Sequence, residues 1–303
     1  MASLAGKAAL VIHAGRPVGR HIAQTLAGQG ARVLAACIGE GARKTADTIC
    51  AGGGHAISFV GDLTAYDTMA VVVGMAYDTF GRLDILVNAP GVRTETPLFG
   101  LAEAEFDAMM AADLKTAFNS SSLVTKRFRE QKSGRIINVT SLAAFGLPNR
   151  PDAPTKAGLL GLTWTTANSM RASNVTANVV VGDHEVGPSS DRASLGPLVA
   201  YLAGDAAQDV SGQLLGVAGD AHYLLSQPKI IRTVRAENGW TVDALADVLP
   251  GTFGAPLPAP ADASLGLRVG LATHADLPPA AWREVAPGVR FWSVLLPSDS
   301  ELR

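Results

Sequence analysis

Short apolar runs alternate with stretches of helical periodicity through the first two thirds of the chain. Seven runs predict strands: residues 8–13, 31–37, 55–62, 83–89, 134–141, 175–181 and 212–219. Six intervening stretches have the spacing of amphipathic or buried helices: residues 19–28, 42–51, 65–80, 102–130, 155–173 and 195–204. Strands that are apolar throughout are typical of a parallel sheet covered on both faces. The pattern therefore predicts an α/β fold with a doubly wound parallel seven-stranded sheet, whose ligand crevice lies beyond the carboxyl ends of the strands.

This alternation ends near residue 225, which predicts three segments: 1–225, 226–262 and 263–303. The middle segment contains one helix, TVDALADVL with Thr241 as its N-cap, followed by a proline-rich extended linker at 250–262. The last segment has strand-like residues at 265–272 and 290–296 around a helix signal at 278–285. It predicts a small βαβ-like unit or a pair of docking strands, which is too small to fold alone.

Composition limits the classes of partner. The 303 residues are 48% hydrophobic and 17% charged, with no apolar run of the length that a membrane span needs. The formal net charge is -2 and neither sign forms a block, so neither nucleic acid nor an anionic membrane is expected as a partner. Cys37 and Cys50 give no disulfide framework and no metal-ligand spacing, and the first residues lack a signal-peptide pattern. We expect a cytoplasmic protein with small-molecule or protein partners.

Several segments occur in an order that points to a known family: LAGKAALVIHAGRPVGRHIA, GDLT, LDILVNAPG, GRIINVTS, KAGLLGLT and SGQLLGVAGD. In this order they closely resemble the short-chain dehydrogenase/reductase family, over residues 4–225. The resemblance implies a Rossmann-type sheet and a Thr-Gly-x-x-x-Gly-x-Gly turn that holds a dinucleotide pyrophosphate. It also implies a catalytic set of Asn, Ser, Tyr and Lys, in which the tyrosine donates the proton.

The glycine-rich turn corresponds to residues 12–19, IHAGRPVG, and only the last motif glycine, Gly19, remains. His13 brings a side chain to the first glycine position, where a tight turn is needed. Pro17 replaces the second glycine and has no N–H to offer a phosphate. Arg16 stands where NADP-dependent members of the family often have a basic residue, but a solvated surface arginine explains it as well. The sequence predicts no bound cofactor, or NADP if there is one.

The cofactor-side positions that the resemblance assigns are Gly15, Arg16, Gly19, Asp62, Asn88 and Gly91. The second strand ends in Ala36, Cys37 and Ile38, so it lacks the acidic residue that holds the ribose of NAD. Asp62 is either the adenine-side aspartate of the family or an ordinary helix cap.

The catalytic positions are changed as well. Ser141 and Lys156 match the family serine and lysine, whereas Asp152 replaces the tyrosine and Asp113 the asparagine. A carboxyl group is ionised at neutral pH and cannot protonate a developing alkoxide. Structural roles explain these residues equally: Ser141 caps a strand end, Lys156 pairs with Asp152 one helical turn earlier, and Asp113 is a polar residue inside a helix. No metal site is predicted.

Two hypotheses of different class follow. The first is a catalytically degenerate member of the family that serves as a non-catalytic subunit, paired through the helices 101–130 and 155–173 with itself or with an active relative. On these helices we expect Ala117 and Leu159 at the interface. The second is an atypical enzyme, either an NADP-dependent ketoreductase with an altered site or a non-redox acid/base catalyst. The residues available to that catalyst are Asp113, Asp152, His184 with Glu185, and Ser141.

Overall fold

The computed structural model describes residues 4–91, 96–147, 150–182, 189–219, 221–228, 233–236, 239–253, 283–286 and 289–291. By its internal contacts the chain forms two compact units, Met1–Ala261 and Asp262–Arg303.

An eight-stranded sheet organises the first unit. Its strands are β1 (Ala8–Ile12), β2 (Arg32–Cys37), β3 (Ala56–Val60), β4 (Ile85–Asn88), β5 (Gly134–Thr140), β6 (Val175–Gly182), β7 (Leu214–Ala218) and β8 (Ala221–Leu225). The order is β3-β2-β1-β4-β5-β6-β7-β8, and the first seven strands are parallel. The doubly wound α/β fold is thus confirmed.

The prediction of seven strands was wrong by one. β8 runs antiparallel to β7, and Ala218 pairs directly with Ala221. Gly219 has a φ of 59°, the left-handed conformation that a two-residue hairpin connection requires. The sequence signal was present, because Gly-Asp between two apolar runs is a hairpin dipeptide.

Helices cover both faces of the sheet. They are α1 (Pro17–Gly28), α2 (Gly41–Ala51), α3 (Tyr66–Phe80), α4 (Glu103–Met110), α5 (Thr116–Gln131), α6 (Ala153–Met170) and α7 (Ser189–Ala203). Buried residues of α1, α2 and α7 form one core with the sheet, and those of α3, α5 and α6 form the other. Since both faces are covered, strands such as β1 and β5 are buried at every position.

The helix expected over 102–130 is not continuous. Ala111–Lys115 form a π-helical turn between α4 and α5. Such turns insert one extra residue per hydrogen-bonded ring and are frequent at functional sites. Here the turn contains Asp113, one of the predicted site residues.

Beyond β8, α8 (Val242–Phe253) confirms the helix predicted there, and Thr241 Oγ1 accepts a hydrogen bond from the Ala244 N–H at 3.1 Å. The helix continues through Pro250, so the proposed linker does not begin at that residue. In the second unit β9 (Arg283–Ala286) pairs antiparallel with β10 (Val289–Phe291). Residues 283–285 are therefore a strand rather than the end of the expected helix, and the strand expected at 265–272 lies outside the described residues. No helix in the described ranges is long and apolar enough to cross a membrane.

Candidate functional site

The predicted site residues converge on the crevice at the carboxyl ends of β1, β2, β4 and β5. The turns that follow these parallel strands meet at one edge of the sheet, as the doubly wound topology requires. The π turn and the first turn of α6 complete the crevice from one side. Gly158 allows this approach, because a Cβ there would lie 2.5 Å from Leu114 Cδ2.

His13 follows β1 and adopts a backbone conformation that glycine favours. Its φ is 61°, in the left-handed region that costs a non-glycine residue about 1–2 kcal/mol. Gly19 lies close to it, since a Cβ there would lie 2.5 Å from the His13 carbonyl oxygen. The turn therefore contains a left-handed residue whose histidine ring enters the crevice.

The His13 ring is 95% buried and contacts both sides of the crevice. Its Nε2 lies 3.0 Å from the carbonyl oxygen of Ala112 in the π turn. On the other side it contacts Cys37, the last residue of β2. Burial raises the pKa of the Cys37 thiol, but its interaction with the His13 side chain and hydrogen bonds from the backbone of Gly39 and Gly15 outweigh burial and lower the pKa to about 7.

Arg16 spans the crevice from the β1–α1 turn to the loop that follows β4. Its guanidinium donates to the carbonyl oxygen of Gly91 after β4, and the side chain is half-buried. It is therefore not the solvated arginine considered from the sequence. Beside it the β1–α1 turn touches the start of α2 directly, since a Cβ on Gly15 would lie 2.8 Å from the Ala42 nitrogen. These contacts place Arg16 and the β1–α1 turn between the carboxyl ends of β2, β1 and β4.

Two cofactor-side positions have other partners. Asp62 is exposed, and the pKa of its carboxyl is lowered by hydrogen bonds from the Thr64 N–H and hydroxyl at 2.9 and 2.8 Å. It caps this turn and not α3 itself, whose N-cap is Ala65. Asn88 is buried and donates to Asn138 Oδ1 at 2.8 Å, while its own Oδ1 accepts from the Ser120 hydroxyl at 2.7 Å.

Lys156 and Asp113 form an ion pair inside the protein. The lysine Nζ lies 3.0 Å from Asp113 Oδ2 and 3.3 Å from the carbonyl oxygen of Pro90. The side chains are 1% and 0% exposed. The expectation that Lys156 pairs with Asp152 was wrong, because the lysine extends across the crevice to the π turn rather than along its own helix.

Asp152 pairs instead with Arg150, two residues earlier. The guanidinium donates to both carboxylate oxygens, at 2.9 and 2.8 Å. Ser141 is fully buried after β5, and its hydroxyl has no hydrogen-bond partner among the described residues. The four catalytic positions thus lie along one side of the crevice, with the two carboxylates paired to cations.

Sequence reasoning did not foresee the roles of Arg150 and Cys37. The signal for Cys37 was available, because Ile12 of β1 pairs with Ala36 of β2, which places the next residues, His13 and Cys37, side by side. His184 and Glu185 lie outside the described residues. Within the described ranges, no group of three or more His, Cys, Asp or Glu residues is arranged to hold a metal ion.

Comparisons with known proteins agree with the fold. The sequence model of the family described as short chain dehydrogenase matches residues 7–183. The 3-oxoacyl-(acyl-carrier-protein) reductase FabG of Staphylococcus epidermidis is 30% identical over 238 residues, which cover 70% of this chain and 98% of the relative. The reductase of the same name from Thermotoga maritima is 28% identical over 243 residues, covering 71% and 98%.

Solved structures give the same result. A short chain dehydrogenase from Mycobacterium avium has a TM-score of 0.78 at 27% identity and covers 86% of this chain and 98% of its own. A putative short-chain alcohol dehydrogenase from Sinorhizobium meliloti has a TM-score of 0.66 at 28% identity, covering 71% and 95%. The chain belongs to the short-chain dehydrogenase family.

The residues of the β1–α1 turn do not fit the dinucleotide that this fold family implies. A pyrophosphate binds where glycines let backbone N–H groups approach it closely. Here the His13 ring fills that approach, Pro17 begins α1 without an N–H, and Arg16 bonds to Gly91 across the crevice.

Proposed function

We propose that this protein is a catalytically degenerate short-chain dehydrogenase that acts as a non-catalytic subunit, paired with an active member of the same family. The observation that carries the proposal is the buried Asp113–Lys156 ion pair. The lysine of the family assists a tyrosine that this chain lacks. In this chain the lysine ammonium is bound to a carboxylate instead, and the Asp152 carboxylate is bound to Arg150.

The side chains at the catalytic positions are also unsuited to proton donation. Each carboxylate at these positions is already bound to a cation of the protein. Ser141 can donate one hydrogen bond, but no described residue is positioned to take its proton. These positions therefore support the structure of the crevice rather than proton transfer.

The surface offered to a partner lies on α4, α5 and α6. A groove of about 630 Å³ runs between them, and its apolar lining residues are Met110, Ala111, Leu114, Phe118 and Leu162. Phe118 is 53% exposed. Covering such a surface contributes roughly 25 cal/mol per Å². Ala117 and Leu159, expected at the interface from the sequence, are 1% and 0% exposed within the subunit and are not available to a partner.

An NADP-dependent ketoreductase is the second candidate. Two observations favour it: the curated relatives are named as 3-oxoacyl-(acyl-carrier-protein) reductases, and Arg16, Ser141 and Lys156 are kept. The contacts of Arg16 and Lys156 count against it, because both cations are bound to protein groups. The altered turn must open before a dinucleotide can enter.

Co-expression with an active short-chain dehydrogenase of the same host tests the proposal. Light scattering is expected to show a mixed oligomer that Phe118→Glu or Leu162→Glu dissociates, with loss of the partner's activity. Val71→Glu is the matched control, since Val71 is 63% exposed on α3, away from the groove. A chain that remains monomeric beside every such relative contradicts the proposal and favours the enzyme hypothesis.

A further inference from the structure

Cys37 and His13 form a second chemical arrangement in the crevice, independent of the catalytic positions. Both residues follow or end neighbouring parallel strands, and they depart from the family pattern together: a histidine replaces a glycine and a cysteine stands where an acidic residue binds ribose. Both are buried, at 4% and 5% exposed. We propose that Cys37 is a thiol modification site at which His13 acts as the base and a hydroperoxide is the oxidant.

The hydrogen bond of His13 defines its chemistry. The Ala112 carbonyl can only accept, so Nε2 carries the proton and Nδ1 presents its lone pair. Nδ1 is buried and has no geometrically satisfactory hydrogen-bond partner in the described structure. It is the nitrogen available to the neighbouring thiol. The arrangement is a thiol, an imidazole and an orienting carbonyl, the sequence of groups that activates cysteine nucleophiles.

The surroundings of the sulfur stabilise a thiolate. The backbone of Gly15 and Gly39 donates to it, and His13 is the titratable group that acts on it. The other charged side chains on the surrounding turns have different partners: Arg16 bonds to Gly91, and Glu40 pairs with Arg43 at 3.0 Å. These contacts explain the lowered thiol pKa without an exposed cation.

The backbone is strained for this arrangement. An asparagine or glycine adopts a φ of 61° at lower cost than histidine does. The strain is stored at a crevice residue, which is where functional sites keep such conformations. The buried Cys37 is followed directly in the sequence by three exposed residues, Ile38, Gly39 and Glu40, and Ile38 is 61% exposed.

The reaction balances with one hydroperoxide. His13 Nδ1 takes the thiol proton, and the Cys37 sulfur attacks the nearer peroxide oxygen. An S–O bond forms, the O–O bond breaks, and the leaving alkoxide or hydroxide takes the proton from the imidazolium. Sulfur is oxidised to a sulfenic acid, and the peroxide is reduced to an alcohol or to water.

Hydrogen peroxide with a sulfenic-acid trap tests the proposal on the full chain, with site-resolved mass spectrometry. Cys50 is exposed and serves as the internal reference. The rate ratio of Cys37 to Cys50 is compared between two pH values, because the accessibility of each thiol cancels in that comparison. Because a thiol that ionises near 7 outcompetes an ordinary thiol only at low pH, the ratio is expected to fall about twenty-fold between pH 6 and pH 9.

His13→Asn is the decisive variant, since asparagine tolerates the left-handed backbone but is no base. It is expected to abolish the fall in the ratio, and thermal unfolding with circular dichroism verifies that it folds. Cys37→Ser must remove the trapped product at this site while Cys50 still reacts. No trapping at Cys37 at any pH, a ratio that stays constant, or an unchanged ratio in folded His13→Asn overturns the proposal.

Discussion

The crevice has two sides that differ in how their residues interact. On the β1–β2 side, His13 lies in a strained turn next to Cys37, whereas on the β4–β5 side Asp113 and Lys156 form an ion pair. His13 and Cys37 are buried, and exposed residues follow Cys37 in the sequence. Asp113 and Lys156 lie fully inside the subunit. The first side contains a thiol and an imidazole, and the second contains paired charges. The two sides of one crevice thus differ in their chemistry.

The largest loss of stability is expected when the ion pair between Asp113 and Lys156 is broken. Asp113→Asn leaves the Lys156 charge buried without its counter-ion, and we expect a loss of about 3–5 kcal/mol in the free energy of unfolding. Denaturant unfolding measures it. Asp47→Asn, an exposed change on α2, is the control and is expected to alter stability by about 0.5 kcal/mol or less. Adding Lys156→Met to Asp113→Asn is expected to recover most of the loss. A loss below about 1 kcal/mol contradicts a buried pair.

A smaller loss is expected at the neighbouring pair. Arg150→Ala leaves the buried Asp152 carboxylate without its two charge-assisted hydrogen bonds, at a cost of about 1–3 kcal/mol. Arg43→Ala breaks a matched pair with Glu40 whose side chains are both 62% exposed, and it is expected to cost about 0.2–1 kcal/mol. Equal losses in the two variants, measured by denaturant unfolding, argue that Asp152 is solvated in the folded protein.

In the strained turn, a glycine is expected to be more stable than an alanine, which is the reverse of the order inside a helix. At position 13, His13→Gly is expected to be about 1 kcal/mol more stable than His13→Ala, because only alanine is strained at a φ of 61°. Both variants lack the ring, so the difference isolates the backbone. At Asp47, inside α2, alanine is expected to be more stable than glycine by about 1 kcal/mol. The same order at both positions excludes a left-handed turn.

The smallest effect is expected from restoring the missing phenol. Asp152→Tyr alone is expected to give no NADPH oxidation above background with a ketone substrate, because the β1–α1 turn still blocks the dinucleotide. The same change together with His13→Gly and Pro17→Gly is the matched comparison, since those two changes remove the ring and restore an N–H. Appreciable oxidation by the single variant shows that both sides of the crevice are less altered than the structure indicates.

Periodicity was sufficient to predict the sheet and its covering helices. A strand buried on both faces, such as β1, is apolar at every position, so its pattern can be recognised without knowing which elements it contacts. β8 was missed because its exposed residues, among them Leu224 at 66%, do not form a buried run. The π turn at 111–115 was missed because one extra residue within a helical pattern changes the spacing too little to be seen.

The partners of the candidate site residues were not predictable from the sequence. Spacing along a helix favours Lys156 with Asp152, yet the lysine reaches Asp113, which lies 43 residues away in sequence. Such a contact depends on how α6 lies against the π turn, which the spacing of residues along one helix does not reveal. The neighbourhood of His13 and Cys37 was not predicted either, although β1 and β2 are parallel neighbours that end at the same edge of the sheet.

Titration of NADPH into the purified wild-type chain, followed by calorimetry, tests the claim that the altered β1–α1 turn does not bind a dinucleotide. His13, Pro17 and Arg16 together remove the backbone contacts that a pyrophosphate needs, so we expect no saturable binding up to about 1 mM ligand. An active relative of the family, measured in the same buffer, establishes that the assay detects binding. A dissociation constant in the micromolar range for the wild-type chain would contradict the claim.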